Sequence, residues 1–329
     1  MNEMLKNKKI AVVGIGGVGG YLAGMLGRVC SHLTLAARGE RREALLKKGL
    51  VLHSDYNGEI TVNAERVVPV NEMGEQDYIF ICVKNYSLEE VCEDLKYAVT
   101  DDTVIIPVMN GVDPGERIRN LLGKGTVVDS LIYIVAFANE DYSITQQGNF
   151  ANLRIGIHGG NDRQKKKVKE LSEILAGAEI DHKTAEDIQT EIWRKYILNC
   201  AYNAETAYYD NTIGQLRQDP AKAAEYEALV REAYQVALAK GVAVKQEHID
   251  AIIHRFYHEL AEDATSSLQR DIQQGKRAEV DTFSGYILRE AKQRNITVPV
   301  TEKMYYGLKK AENTQQKTYI LERNSPMFS

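Results

Sequence analysis

With 329 residues, 44% of them apolar and 26% charged, the chain is long enough for two domains that each bury a core. A net charge of −5 argues against a protein that coats nucleic acid or an anionic membrane, although local basic groups can still hold a small anion. Cysteines at 30, 82, 92 and 200 show neither C-x-x-C spacing nor a zinc-like pairing with histidine, so no metal is expected, and the reducing cytoplasm is the expected location.

The opening "MNEMLKNKKIAVVGIGG" places lysines before an apolar run, superficially like a signal peptide. That run ends after four residues at a glycine cluster, too short for an h-region. No window approaches the ~18 apolar residues of a membrane span. Short β-branched runs then alternate with helical patterns, as in parallel βαβ units. Strands are predicted at 9–14, 32–37, 78–84, 103–108 and 126–136. Helical stretches between them include "GYLAGMLGRV", "RREALLKKG" and "LEEVCEDLKYAV". "GNFANLRIGIHG" reads as a further strand closing the same sheet, followed by the basic helix "DRQKKKVKELSEILAGA", whose lysine run is most simply a solvated face.

From about Asp187 strand-like runs vanish and long helical patterns take over. "EYEALVREAYQVALAKG" is the clearest, with Gly241 placed to end it. The expected architecture is α/β: an N-terminal Rossmann-like, doubly wound, mostly parallel sheet over 1–185, plus an all-α domain over 186–329. The tail after Lys317 is expected to fray.

"VVGIGGVGGYLAG" sets Gly14, Gly16 and Gly19 as G-x-G-x-x-G, with Gly17 and Val18 in the same turn, directly after a strand and opening a helix. In that setting the first glycine makes the turn and the second lets backbone approach a pyrophosphate. The third lets helix and strand pack closely. The bland alternative is a bare packing turn, but the βαβ rhythm favours a dinucleotide. An acidic residue about 20 positions further on usually bonds the ribose of NAD. Here "LAARGERR" puts Arg38 nineteen residues after Gly19, with Arg41 and Arg42 following. A guanidinium suits the 2′-phosphate of NADP, so NADPH/NADP+ is favoured, with Glu40 as the counter-argument.

Lys84 in "CVKNYS" and Asn110 in "VMNGVD" follow strands, where such sheets present ligands. Each reads equally well as a polar loop residue. In "EIWRKYILNCAYNAE", Lys195, Asn199 and Asn203 fall at i, i+4 and i+8, stacking an amine and two carboxamides along one helix face. Ser267 and Glu279 lie twelve residues apart in "TSSLQRDIQQGKRAEVD". A serine there is often a cap, and a glutamate is often merely solvated. His254 and His258 form an i, i+4 pair without a zincin glutamate, which reads as a solvated helix face.

Taken together, the glycine loop, the strand-end arginine, the lysine loop, the Asn-Gly, the W-x-K-x-x-x-N-x-x-x-N helix and the Ser-Ser…Asp…Glu-Val-Asp segment resemble the ketopantoate reductase family. The resemblance spans about residues 8 to 312. It implies NADPH-dependent reduction of 2-dehydropantoate to (R)-pantoate, on the way to pantothenate and coenzyme A. It also implies Lys195 as general acid, with Glu279 orienting it and the substrate hydroxyl. Asn110, Asn199, Asn203 and Ser267 would bind substrate, and Arg38, Lys84 and Asn110 would lie along the cofactor.

The chemistry stands beside the resemblance. Hydride addition to a ketone builds negative charge on oxygen, and a placed ammonium can meet that charge and deliver the proton. Desolvation and a neighbouring Glu279 should pull the lysine pKa in opposite directions. Leu268 and the pair Gln146, Gln147 depart from common family forms, methionine and a histidine near the glycine, and the role of that histidine passes to no residue here. Two alternatives stay open: reduction of another branched or bulky 2-oxo acid, and a non-catalytic NADP(H)-binding sensor. The expected partner is a small-molecule 2-oxo acid, not nucleic acid or membrane, and a homodimer is a further possibility.

Overall fold

The computed structural model describes residues 7–324. The chain divides into two compact units between Glu191 and Ile192. The first holds two sheets; the second is helical.

In the first sheet the order is β5 (Arg66–Val68), β2 (His32–Ala36), β1 (Lys9–Val13), β6 (Tyr78–Ile81), β7 (Val104–Pro107), β8 (Thr126–Val127). Every adjacent pair is parallel. Chain direction across the sheet reverses between β1 and β6, the switch point at which such sheets open a crevice beyond their strand C-termini. Alternate residues serve opposite faces. Ile10, Val12, Leu33, Leu35, Phe80 and Ile106 face the core that holds helix α1 (Gly17–Gly27) and α5 (Asp162–Gly177). Val13, Ile79, Ile81 and Ile105 face α3 (Leu88–Leu95) and α4 (Pro114–Leu122). Near-continuous apolar strands are the signature of a sheet covered on both sides.

The second sheet was not legible as a separate layer. It runs β11 (His182–Thr184), β10 (Ile144–Gly156), β3 (Leu50–Ser54), β4 (Gly58–Val62), with β9 (Asp129–Ala138) antiparallel to β10. Two expectations are therefore corrected. "GNFANLRIGIHG" does not close the parallel sheet but belongs to β10 of the second one. The run 126–136 is not one strand; it breaks at Val128 into β8 in the first sheet and β9 in the second. Hydrophobic periodicity reports burial and cannot say which of two sheets does the burying. The β3–β4 hairpin is absent from the predicted strands, although Asn57–Gly58 at its turn is a hairpin signal.

Helix α1 is buried between these layers, which explains glycines beyond those a nucleotide loop needs. A Cβ at Gly17 would stand 2.2 Å from the Ala136 carbonyl oxygen, at Gly20 2.3 Å from Ile144, and at Gly27 2.2 Å from Val62. The glycine stripe lets the helix backbone lie directly on the second sheet.

In α5, Lys165, Lys166 and Lys169 are exposed while Val168, Leu171, Ile174 and Leu175 are buried, the expected solvated face. Asn161 and Gln164 close a capping box at its start.

The helical unit continues from α6 (Ile188–Tyr209), whose start is capped by Asp187 through Thr190 (N–H to Oδ1 3.1 Å, Oγ1 to Oδ2 2.6 Å). There follow α7 (Ile213–Gln218), α8 (Pro220–Ala239), α9 (Gln246–His258), α10 (Ser267–Gln273), α11 (Tyr286–Gln293) and α12 (Pro299–Asn324). Gly241 takes φ +74° just after the end of α8. Where fraying was expected beyond Lys317, α12 continues to Asn324, and 325–329 lie outside the described residues. His254 and His258 are exposed. Among the described residues no helix is long and apolar enough to cross a membrane.

Candidate active site

The glycine loop leaves β1 at Gly14, whose φ of +90° suits only glycine well. Its missing side chain also makes room for the next strand's exit, since a Cβ would lie 2.7 Å from Val83. A Cβ at Gly19 would collide with the Gly14 carbonyl at 2.0 Å, so the loop closes tightly on the first turn of α1. Gly16 is different: a Cβ there would meet nothing within 4 Å. No side chain caps the start of α1 and no acidic residue occupies its first turn. Open backbone at the positive end of a helix fits the pyrophosphate of a dinucleotide.

At the C-terminal end of β2, Arg38 is extended and precedes α2 (Gly39–Lys48). Its guanidinium is 84% exposed, with Nη1 3.0 Å from Glu90 Oε1. An exposed pair of this kind is worth about 0–1 kcal/mol and yields readily to a phosphate dianion. Arg42 donates from Nε to the Val67 carbonyl at 3.1 Å, and Arg41 stacks 4.9 Å over the Tyr142 ring.

Lys84 ends β6's exit and is half-buried; Asn110 and Gly111 follow β7, with Gly111 at φ +102°. A residue that sequence reasoning passed over joins these loops. Buried Asn85 donates from Nδ2 to the Asn110 carbonyl at 2.8 Å, and its Oδ1 accepts from Arg117 Nη1 at 3.3 Å. A polar residue next to a strand end carries no sequence signal for so distant a partner.

Lys195 sits in α6. Although the side chain keeps some accessible surface, the protein packed around it makes its charge costly, and burial lowers its pKa to about 8. Glu279 opposes the shift without cancelling it. Desolvation thus wins the contest that the sequence left open.

Glu279 is itself buried, and its backbone is held on both sides. Glu312 accepts from the Ala278 N–H at 2.8 Å. The Tyr196 hydroxyl donates to the Thr282 and Phe283 carbonyls at 2.7 and 2.9 Å, on a π-helical turn over Asp281–Gly285. Such turns recur at functional sites. Tyr196 also meets Trp193 edge-to-face at 5.6 Å, so one aromatic cluster fixes the helix that carries Lys195 and the turn that follows Glu279. Tyr196 looks like ordinary core in the sequence, and nothing there marks its hydroxyl.

Asn199 is half-buried and its carbonyl accepts from Asn203 Nδ2 at 3.0 Å. Buried Asn203 accepts at Oδ1 from the Ser267 hydroxyl and the Leu268 N–H, both at 3.3 Å. The cap of α10 is Ser266, whose Oγ accepts from the Gln269 N–H at 3.1 Å, which leaves Ser267 with no capping duty. Asn203 and Ser267 are thus brought together, and Lys195 with Glu279. Gln146 is fully buried and structural: Oε1 accepts from Ser54 Oγ at 2.5 Å, while Nε2 donates to the Gln147 and Gly148 carbonyls across the β10 bulge.

A family model described as ketopantoate reductase PanE/ApbA matches residues 10–160, and its C-terminal counterpart matches 187–312. The chain belongs to the ketopantoate reductase family. It is 29% identical over 308 residues to the uncharacterized oxidoreductase YkpB of Bacillus subtilis, covering 92% of this chain and 99% of that one. With the 2-dehydropantoate 2-reductase of Pyrococcus horikoshii it shares 26% over 307 residues, covering 93% and 98%. A solved PanE/ApbA family ketopantoate reductase from Ralstonia eutropha superposes with a TM-score of 0.85 at 26% identity, covering 94% and 99%. The protein is an oxidoreductase, and its family indicates a nicotinamide cofactor.

Proposed function

We propose that the protein reduces 2-dehydropantoate to (R)-pantoate with NADPH, in the cytoplasm, serving pantothenate and coenzyme A synthesis. Residues 1–185 bind the cofactor through Gly14, Gly16, Gly17, Val18, Gly19, Arg38, Lys84 and Asn110. Residues 186–329 bind substrate and carry the acid. The observation that carries this reading is the desolvated Lys195, with a pKa lowered to about 8 beside buried Glu279. An amine poised near neutral pH is matched to proton delivery, whereas an ordinary lysine holds its proton too tightly.

The cofactor would supply the hydride to the ketone carbon. As the C–H bond forms and the carbonyl π bond breaks, Lys195 meets the growing negative charge and gives its proton to the oxygen. Glu279 keeps the amine charged and oriented. Asn199, Asn203 and Ser267 offer hydrogen bonds to the substrate's oxygens, and Asn110 orients it from its turn. Glycine-loop backbone holds the pyrophosphate and Arg38 the 2′-phosphate.

Steady-state assay with NADPH and ketopantoate is the direct test, and absence of turnover at high enzyme concentration contradicts the proposal. A second reading, another bulky 2-oxo acid, rests on the departures from common family forms at Leu268, Gln146 and Gln147. A panel of 2-oxo acids ranked by kcat/KM separates the two. The assembly we propose is a homodimer, which a molar mass measured by light scattering checks.

A further inference from the structure

The turn between β9 and β10 is tied to both ends of α2, and this bears on which dinucleotide the chain accepts. At the far end of the helix, Lys48 Nζ lies 2.8 Å from Asp141 Oδ2. At its first turn, the Tyr142 hydroxyl donates to Glu40 Oε2 at 2.6 Å, and the Tyr142 ring stacks on Arg41 at 4.9 Å. Tyr142 holds φ +68°, a conformation unfavourable to a side chain, in a turn braced by Ser143 Oγ to Asp141 Oδ1 at 2.6 Å and Asn139 Nδ2 to Ser143 Oγ at 2.9 Å. A non-glycine residue persists in that region only where its surroundings over-determine it.

Glu40 follows the end of β2, where an acidic residue in such folds bonds the ribose 2′-hydroxyl of NAD and repels a 2′-phosphate. We propose that Tyr142 is a specificity-determining positioning residue: by holding Glu40 it withholds that carboxylate from the ribose and leaves Arg38 to recognise a 2′-phosphate. The inference rests on the NADPH reading above. It also explains why three arginines near this strand end are unequal. Arg42 is committed to backbone, Arg41 lies against Tyr142, and Arg38 alone presents a largely exposed guanidinium.

The test is binding of NADPH and NADH to the full chain, followed by cofactor fluorescence without substrate. Wild type should bind NADPH more tightly. Tyr142→Phe removes only the hydroxyl and should shift the NADPH/NADH affinity ratio toward NADH by roughly three- to tenfold, the effect of one exposed charge-assisted hydrogen bond. Adding Glu40→Gln should restore the wild-type ratio. Glu40→Gln alone, with Tyr142 present, should leave NADH binding unchanged, and this second arm does not depend on how well Tyr142→Phe folds. An unchanged ratio in Tyr142→Phe, with wild type still preferring NADPH, overturns this inference alone. Loss of NADH affinity in Glu40→Gln also overturns it, because Glu40 would then be a ribose ligand. A wild type that prefers NADH overturns the cofactor reading together with it.

Discussion

The candidate sites of the glycine-loop unit and of the helical unit are built by opposite means. In the first, the proposed cofactor site rests on side chains that are missing: Gly16 leaves backbone open, while Gly14 and Gly19 let strand and helix meet without a Cβ between them. In the second, the proposed chemistry rests on a side chain whose charge the surroundings have made costly, Lys195, with Glu279 limiting the cost. A backbone site tolerates almost no added volume and little cares about pH. A desolvated amine tolerates its neighbours' volume but is governed by pH. Substitutions should therefore fail differently in the two units.

The largest effect belongs to Lys195→Ala. Loss of a general acid should lower kcat by about 10²–10⁴-fold. The NADPH dissociation constant, measured by fluorescence, should stay close to wild type; equal loss of both would assign the lysine to cofactor binding or folding instead. Next comes pH. Because Lys195 gives up its proton at about 8, kcat for reduction should fall as pH rises beyond that value. Well above it the slope approaches roughly tenfold per pH unit. Glu279→Gln removes the charge that raises the lysine pKa, so the falling limb should move to lower pH. A profile flat to pH 10 would break the contrast between the two units.

The glycine loop supplies the complementary pair. Gly19→Ala places a Cβ 2.0 Å from the Gly14 carbonyl and should destabilise the protein by about 1–3 kcal/mol, read as a lower Tm. Gly16→Ala meets nothing within 4 Å, so Tm should hold while NADPH binding weakens. Equal loss of Tm in both would mean that Gly16 is a packing residue like its neighbours.

A further effect, on stability alone, concerns Glu205, fully buried in α6, with both carboxylate oxygens lacking a hydrogen-bond partner and its pKa raised by burial to about 9. Its folded pKa lies above its unfolded one, so the stability it contributes is fully present below about 4.5 and is lost as pH rises through about 9. Glu205→Gln should flatten that dependence and raise Tm at pH 8, by about 2–4 °C per kcal/mol recovered. A Tm difference independent of pH would contradict the assignment.

What the sequence made legible follows the same division. The parallel strands, the glycine loop and the Lys195 helix are local patterns, and each lies where its periodicity put it. The second sheet escaped because a buried strand reads the same whichever sheet receives it, so the break at Val128 left no mark. The roles of Asn85, Tyr142 and Tyr196 escaped for another reason. Each hydrogen-bonds a partner far along the chain, 25, 102 and 86 residues away respectively, and a single sequence carries no trace of such pairings.

The most direct test of the account is the titration of Lys195 itself, followed by NMR of the labelled side-chain nitrogen in the free protein, with Lys195→Ala identifying the signal. The midpoint should lie at about 8 and move downward in Glu279→Gln. A midpoint at the ordinary lysine value of about 10.4 would contradict it.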